Sequence, residues 1–167
     1  MKADNGNELL PVVDADGSPI GTATRRECHD GKSFLLHPVV HLHVFDREGR
    51  LYLQHRPDWK DIQPGRWDTA VGGHVDPGES IEEALRREAF EELGLKDFEP
   101  QFLTRYEFRS SRERELVNAY RTTVDCEPHP SDELDGGRFF TSQEIAERFG
   151  TGFFTPNFEQ EYRRLFM

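Results

Sequence analysis

Glu88, Glu91 and Glu92 fall within two helical turns of one another in the run REAFEELGL, Arg87 to Leu95. Like charges at that spacing repel, so a helix that carries them needs a compensating cation. Rotating by about 100° per residue from Ile81 brings Leu85, Glu88 and Glu92 within about 40° of Ile81 and leaves Glu91 about 80° to one side. Glu82, Glu83 and Arg86 point elsewhere and read as a solvated face. The stripe therefore begins as core and ends as acid, and carboxylates clustered beside a core are costly unless something positive sits among them. Two kinds of cation answer: neighbouring basic side chains, or a hard divalent ion such as Mg²⁺, which takes carboxylate oxygens and keeps positions for water and phosphate.

These residues need a scaffold, and the chain punctuates itself clearly enough to outline one. Ser80 to Leu93 reads as the strongest helix, opened by a capping box of Ser80 with Glu83 and closed by Gly94. Glu8 to Val13 reads as a first strand running into the turn DADGSPIG. His37 to Phe45 alternates so that Val40, Leu42 and Val44 share one face while His41 and His43 share the other. The turn DREG joins that strand to RLYLQHR as a hairpin. Trp59 to Trp67 reads as a loop, and DTAVGGHV as one short strand. Further strands fit Asp97 to Phe108, Glu115 to Cys126 and Arg138 to Phe140, and TSQEIAERFG and TPNFEQEYRRLF read as terminal helices. Strands outnumber helices, so a mixed α/β sandwich fits better than a doubly wound sheet.

A chain of 167 residues suits one domain, 1–167, and 35% hydrophobic residues, including 13 Phe, can fill its core. A formal net charge of −11 disfavours nucleic acid and anionic membrane surfaces as partners. A small anionic ligand would then require metal ions or local basic side chains. Cys28 and Cys126 form no disulfide framework or thiolate zinc motif, and both are expected to be reduced. No apolar run approaches the ~20 residues of a membrane span, which makes the cytoplasm the expected location. A homodimer is compatible with the chain.

From Gly73 the segment GHVDPGESIEEALRREAFEELGL matches the Nudix box G-x5-E-x7-R-E-U-x-E-E-x-G-U at every fixed residue, with Ala89 a small choice for the first aliphatic position. The chain resembles a Nudix hydrolase. That resemblance implies a Nudix-type α/β/α sandwich with a mixed sheet. It also implies that Glu88, Glu91 and Glu92 bind Mg²⁺ or Mn²⁺ with help from the Gly73 carbonyl, while Arg87 pairs with Glu79 to steady the helix. The substrate implied is a small-molecule diphosphate cleaved by water, with Glu91, or another glutamate near the metal, as general base. Glu91, Glu92, Arg87 and Glu115 form the candidate catalytic set.

A narrower similarity is to isopentenyl diphosphate isomerases. His37 and His74 match histidines that bind a divalent metal there, and Glu113 and Glu115 resemble an E-x-E pair. His29 is a candidate for the remaining ligand, at a spacing to His37 that departs from the family's by one. Arg56 and Lys60 fall where those enzymes contact the substrate diphosphate, and Tyr106 matches a tyrosine near the catalytic glutamate. The catalytic cysteine, however, would occupy Gly72, and the aromatic residue that shields the carbocation is Asn157 here. Isomerisation needs an acid and base across the double bond and an aromatic face for the cation, so hydrolysis is favoured over isomerisation. A sensor that binds without turnover is the alternative of another class, and the complete set of box glutamates speaks against it. Ordinary roles stand beside these: Arg56 and Lys60 as solvated charges, Trp59 and Trp67 as packing anchors, His41 and His43 as pocket-lining residues or a metal pair, and Glu133 as a loop acid or an extra ligand.

Overall fold

The alternating segment becomes the central strand of a mixed sheet in a computed structural model that describes residues 5–60 and 63–167. Asp61 and Ile62, within the Trp59–Trp67 loop, and residues 1–4 lie outside the described residues. In chain order the strands are β1 (Leu9–Val13), β2 (Pro19–Thr24), β3 (Leu36–Phe45), β4 (Leu51–His55), β5 (Trp67–Thr69), β6 (Val71–His74), β7 (Gln101–Arg109), β8 (Arg114–Thr123) and β9 (Gly137–Phe140). The helices are α1 (Arg25–Cys28), α2 (Ile81–Leu93), α3 (Ser142–Arg148) and α4 (Pro156–Phe166).

The large sheet runs β5-β4-β3-β8-β7, with β6 added to β3 and β9 to β4. β3 and β8 are parallel over their whole length, pairing Leu36 with Arg114 through Phe45 with Thr123, while β7 returns antiparallel to β8. That parallel pair makes the sheet mixed and puts His37 directly opposite Glu115. The hairpin across DREG forms, though β3 and β4 pair only at Val44↔Tyr52 and Phe45↔Leu51. The other half of that edge of β3 is taken by β6, which pairs Val39↔His74 through Leu42↔Val71.

Both faces of β3 are covered, and the period of two in its side chains decides by what. Val40, Leu42 and Val44 are fully buried with Leu85, Ala89 and Leu93 of α2. On the opposite face Val39, Val117 and Ala119 pack with Leu165 of α4. Truncating a side chain such as Leu85 would cost roughly 2–5 kcal/mol, and that packing keeps the acidic end of α2 turned inward. Aromatic residues from β9 and the C-terminal region, among them Phe140, Phe154, Phe158 and Tyr162, build a second core against Leu51 and Leu53. α2 begins and ends as the sequence indicates. Ser80 and Glu83 cap it reciprocally, and Gly94 closes it at φ 68°, the left-handed region that glycine enters without steric cost.

Three features depart from the sequence reading. Only the first part of DADGSPIG is a turn, closed by Asp14 Oδ1 accepting from the amides of Asp16 and Ser18; the rest enters β2, which pairs with β1 in a separate two-stranded sheet. The outer strand exposes Pro19 to Thr22, so it shows no alternation to read. The four-residue α1 after it was likewise not anticipated, being too short for a hydrophobic period. Finally, DTAVGGHV is two strands rather than one. The chain breaks at Ala70, sending β5 to β4 and β6 to β3.

Candidate functional site

A cleft of about 530 Å³ opens beside the N-terminal half of β3 and is walled by β6, α2, α1 and the start of β8. It gathers two sets of ionisable groups. The first is the acidic end of α2. Glu92 is 6% exposed; Gln54 Nε2 donates to its Oε1 at 3.0 Å, and its Oε2 is buried without a hydrogen-bond partner. Burial, and then the charge of Glu88, push its carboxyl well above the usual range. Glu88 is raised by burial as well. Arg87 is the clamp between this set and the loop before it. Its Nε and Nη2 donate to the two oxygens of Glu79 at 2.8 and 2.9 Å, its Nη2 to the His74 carbonyl at 3.1 Å, and its Nη1 to Glu88 at 2.7 Å and Glu91 at 3.3 Å. The basic-side-chain answer to the crowding is thus partly realised by Arg87, yet Glu92 keeps an unpartnered oxygen.

Gly73, on β6, is where Glu88 approaches the sheet. A Cβ built there would lie 2.2 Å from Glu88 Cδ and 2.5 Å from its Oε2, closer than any methyl group tolerates. Gly73→Ala is therefore expected to push Glu88 aside and lower kcat/KM by at least about 10²-fold, the scale of an ångström-sized misplacement. The far-ultraviolet circular dichroism spectrum should stay unchanged, and full activity in the variant would show that Glu88 is not needed at this position.

The second set is His29, His37, His74, Glu113 and Glu115. The three imidazoles form a triangle with ring centroids 5.5, 5.4 and 5.5 Å apart. One donor atom from each of the three histidines, and one from each of His37, Glu113 and Glu115, lie within 4.8 Å of one another. His29 Nε2 stands 2.8 Å from Glu113 Oε2 and His37 Nε2 4.0 Å from Glu115 Oε2. His29 and Glu113 are thus an ion pair, whereas His37 Nε2 and Glu115 Oε1 are buried without a hydrogen bond. Burial holds His37 below its ordinary range, and burial with the Arg25 guanidinium holds His74 well below it. Burial and the charge of Glu113 raise Glu115 to about 8. Imidazoles and carboxylates turned toward one another, with His37 and His74 disfavoured as cations by burial, are what a divalent cation needs, so this donor set fits one. Sequence separation left the proximity of these residues open; the parallel β3–β8 pairing and the β3–β6 pairing bring them together. The segment between His29 and His37 turns through Gly31 at φ 71° and Phe34 at φ 47°.

The other candidates divide. Arg56 and Lys60 both line the cleft; Arg56 Nη1 lies 3.4 Å from Asp68 Oδ2, and Lys60 Nζ lies 4.9 Å from the centroid of Trp59. Gly72, Asn157 and Glu133 also line it. Trp67 is a packing residue in the aromatic core, whereas Trp59 faces the cleft. His41 and His43 do not converge on open space as a metal pair would. Glu161 of α4, 1% exposed, takes both: His41 Nδ1 lies 2.9 Å from Oε1, and His43 Nε2 is in contact with Oε2. The Tyr106 hydroxyl donates to Glu161 Oε1 at 2.5 Å rather than to Glu115. Sequence reasoning missed Glu161, Gln54 and Arg25. The last had a legible signal, lying one helical turn before His29; its Nη1 is 3.1 Å from His74 Nδ1. Glu161 and Gln54 had none.

The Glu161 cluster carries a pH dependence. Burial opposes charge on both partners, but their mutual attraction wins: Glu161 is held well below the carboxylate range, and His41 is pushed up to about 9 by Glu161, with Glu115 and Asp68 behind it. The depressed acid contributes stability above its unfolded value of about 4.5 and loses it as pH falls. The raised imidazole contributes fully below about 6.5 and loses its contribution as pH rises through about 9, on the order of 3 kcal/mol in all. The melting temperature is expected to fall between pH 6.5 and 9 more steeply in the wild type than in Glu161→Gln, other groups being common to both. Parallel profiles would show the pair to be uncoupled.

A family model of the NUDIX domain matches residues 35–160. An isopentenyl-diphosphate Delta-isomerase of Agromyces mediolanus is 37% identical over 137 residues, 77% of this chain and 66% of that protein, so the match spans just under two thirds of the relative's length. An uncharacterized Nudix hydrolase of Streptomyces coelicolor is 31% identical over 164 residues, 96% of this chain and 90% of that protein. Among solved structures, DR0079 from Deinococcus radiodurans superposes with a TM-score of 0.82 at 24% identity, covering 96% of this chain and all of the other; a MutT protein from Methanosarcina mazei superposes at 0.66 with 21% identity, covering 77% and 91%. Both show the fold. No helix among the described residues is long and apolar enough to cross a membrane.

Proposed function

The chain belongs to the Nudix family, and from that premise we propose that it is a divalent-cation-dependent hydrolase that cleaves a diphosphate linkage in a small organic or nucleoside diphosphate derivative by water attack on phosphorus. The single observation that carries this reading is the convergence of Glu88, Glu91 and Glu92 on the cleft beside Gly73, with the buried Glu92 Oε2 lacking a partner. Bound Mg²⁺ or Mn²⁺ would neutralise phosphate charge and make a water more acidic.

The chain's own residues supply the rest. Glu88, Glu91 and Glu92 would hold the cation, and the glycine at 73 leaves room for the Glu88 carboxylate beside β6. Arg87, engaged with Glu79 and the His74 carbonyl, fixes the box loop against α2. Glu91, the exposed member of the set, can accept the proton of the attacking water. Arg56 and Lys60 sit in the same cleft to receive the diphosphate. His29, His37, His74, Glu113 and Glu115 would hold a second cation of the kind that imidazole and carboxylate donors favour, and Glu115 lines the same cleft as the box glutamates. Cytoplasmic residence and a freely diffusing substrate are part of the same reading.

The isomerase names of several relatives and the histidine-carboxylate set favour a second reading, isomerisation of an isopentenyl diphosphate. Gly72 and Asn157 line the cleft where that chemistry would want a thiol and an aromatic face. Incubation with Mg²⁺ or Mn²⁺ in ¹⁸O-labelled water, over nucleotide sugars, dinucleoside polyphosphates, oxidised nucleotides and isopentenyl diphosphate, separates the readings. Label in a phosphate product supports hydrolysis; interconversion of isopentenyl and dimethylallyl diphosphate supports the isomerase; saturable binding without products supports a sensor.

A further inference from the structure

Arg25 meets the histidine-carboxylate set from outside the large sheet, on the single-turn helix α1. Thr24 and Glu27 cap that turn reciprocally, and the Arg25 amide donates to the Glu8 carbonyl at 2.7 Å, so its backbone is pinned beside β1. The side chain, 17% exposed, lines the cleft and brings Nη1 within 3.1 Å of His74 Nδ1. A guanidinium has only donors to offer and does not lose its proton in a protein. Arg25 therefore donates in this contact, and His74 Nδ1 accepts. That settles the state of the ring: Nδ1 keeps its lone pair, and the one proton of the neutral imidazole sits on Nε2.

This bond is incompatible with His74 as a metal ligand, whichever nitrogen binds. Ligation through Nδ1 takes the lone pair that Arg25 is using. Ligation through Nε2 needs the proton there to leave and another to arrive on Nδ1, with no net change in charge on the ring; two N–H groups then face each other across the contact. We propose that Arg25 is a latch on this donor set, its guanidinium holding the His74 lone pair until a divalent cation displaces it. This rests on the proposed role of His29, His37, His74, Glu113 and Glu115 as holders of a cation, and deepens it. The latch has a second resting place. The same Nη1 stands 3.6 Å from Glu8 Oε2, so rotation of the side chain can hand the guanidinium from imidazole to carboxylate while the backbone stays in place. Cation affinity is then set in part by a residue that gives the cation no ligand atom.

The test titrates Zn²⁺, a cation that imidazole donors suit, into the full chain by calorimetry. Arg25→Met keeps a long side chain without its donors and should tighten Zn²⁺ at least about tenfold, the worth of a hydrogen bond made by a charged group. Relief of repulsion between two positive charges would also tighten binding. The His74→Phe background separates these causes, because the other four donors remain and Arg25 has no lone pair to hold. There Arg25→Met should gain at most about threefold, the share left to charge alone, and an equal gain with and without His74 overturns the latch. Nitrogen-15 spectra of the wild type decide the matter where a variant fails to fold: before Zn²⁺ is added His74 should carry its proton on Nε2, and a proton on Nδ1 overturns the proposal. Equal affinities in wild type and Arg25→Met overturn the latch and leave the cation-holding role standing, whereas no Zn²⁺ binding by either chain removes that role and the latch with it. Neither readout depends on turnover, so the hydrolase reading is judged separately by the labelled-water experiment.

Discussion

Glu92→Gln is expected to lose at least about 10³-fold in kcat/KM, equivalent to about 4 kcal/mol of transition-state stabilisation, while melting no lower than the wild type in the absence of added cations. Both halves follow from the surroundings of one side chain. Glu92 is 6% exposed, with Gln54 donating to one oxygen and nothing bonded to the other. Burial, and then the charge of Glu88, raise its carboxyl well above the usual range, so a neutral amide of the same shape still accepts from Gln54 and removes the cost of ionising a buried acid. What it cannot do is become an anion on demand. Thermal melts and steady-state kinetics on the one variant check both halves. Retained turnover would show that the acidic face of α2 does not hold the catalytic cation, and a large fall in melting temperature would show Glu92 to be structural.

Mn²⁺ at a hundredfold excess over its dissociation constant is expected to stabilise the protein by about 2.7 kcal/mol, raising the melting temperature by roughly 5–10 °C for a chain of this size. No phosphate-bearing ligand is needed for this effect, because the histidine-carboxylate set is already assembled, with His37 Nε2 and Glu115 Oε1 buried and without hydrogen bonds. His37→Phe replaces a fully buried imidazole, whose Nδ1 lies 2.9 Å from the Leu35 carbonyl, with a ring of similar volume. It should abolish most of the Mn²⁺ shift, whereas Glu92→Gln should keep it, since the two sets use different donors. Differential scanning calorimetry with and without Mn²⁺ reads this directly. Equal shifts in His37→Phe and wild type would place the stabilising cation elsewhere.

Much of the box was legible because its constraints are local. Gly73 to Leu95 specifies a loop and helix in which side chains a few residues apart must cooperate, and helical geometry alone predicts which of them turn inward. The buried Leu85 and Glu92 and the exposed Glu82 and Glu83 follow that rotation. Ser80, Glu83 and Gly94 end the helix through contacts within their own segment. The alternation of His37–Phe45 likewise sorted Val40, Leu42 and Val44 from the histidines before any packing partner was known.

Pairing between distant segments was not legible, because a strand's partners leave little trace in its own residues. β2 is mostly exposed and carries no period, and the break at Ala70 arises only because β4 and β3 each recruit half of one run. The same limit governs the second donor set. His29 and Glu113 are far apart along the chain, and the loops ahead of β3 and β8, joined by the Gly31 amide donating to the Arg112 carbonyl, make them neighbours.

The sequence by itself therefore determined the acidic helix face and the caps that bound it, since short-range geometry dictates both, and the box from Gly73 to Leu95 carried the family resemblance. Only the tertiary structure decided that five scattered histidines and glutamates share one place, and that Glu161 of the last helix gathers His41, His43 and Tyr106 around its carboxylate. The reason is physical: a helix repeats within a few residues, whereas a strand's partner and a buried carboxylate's donors are chosen by the closing of the whole chain.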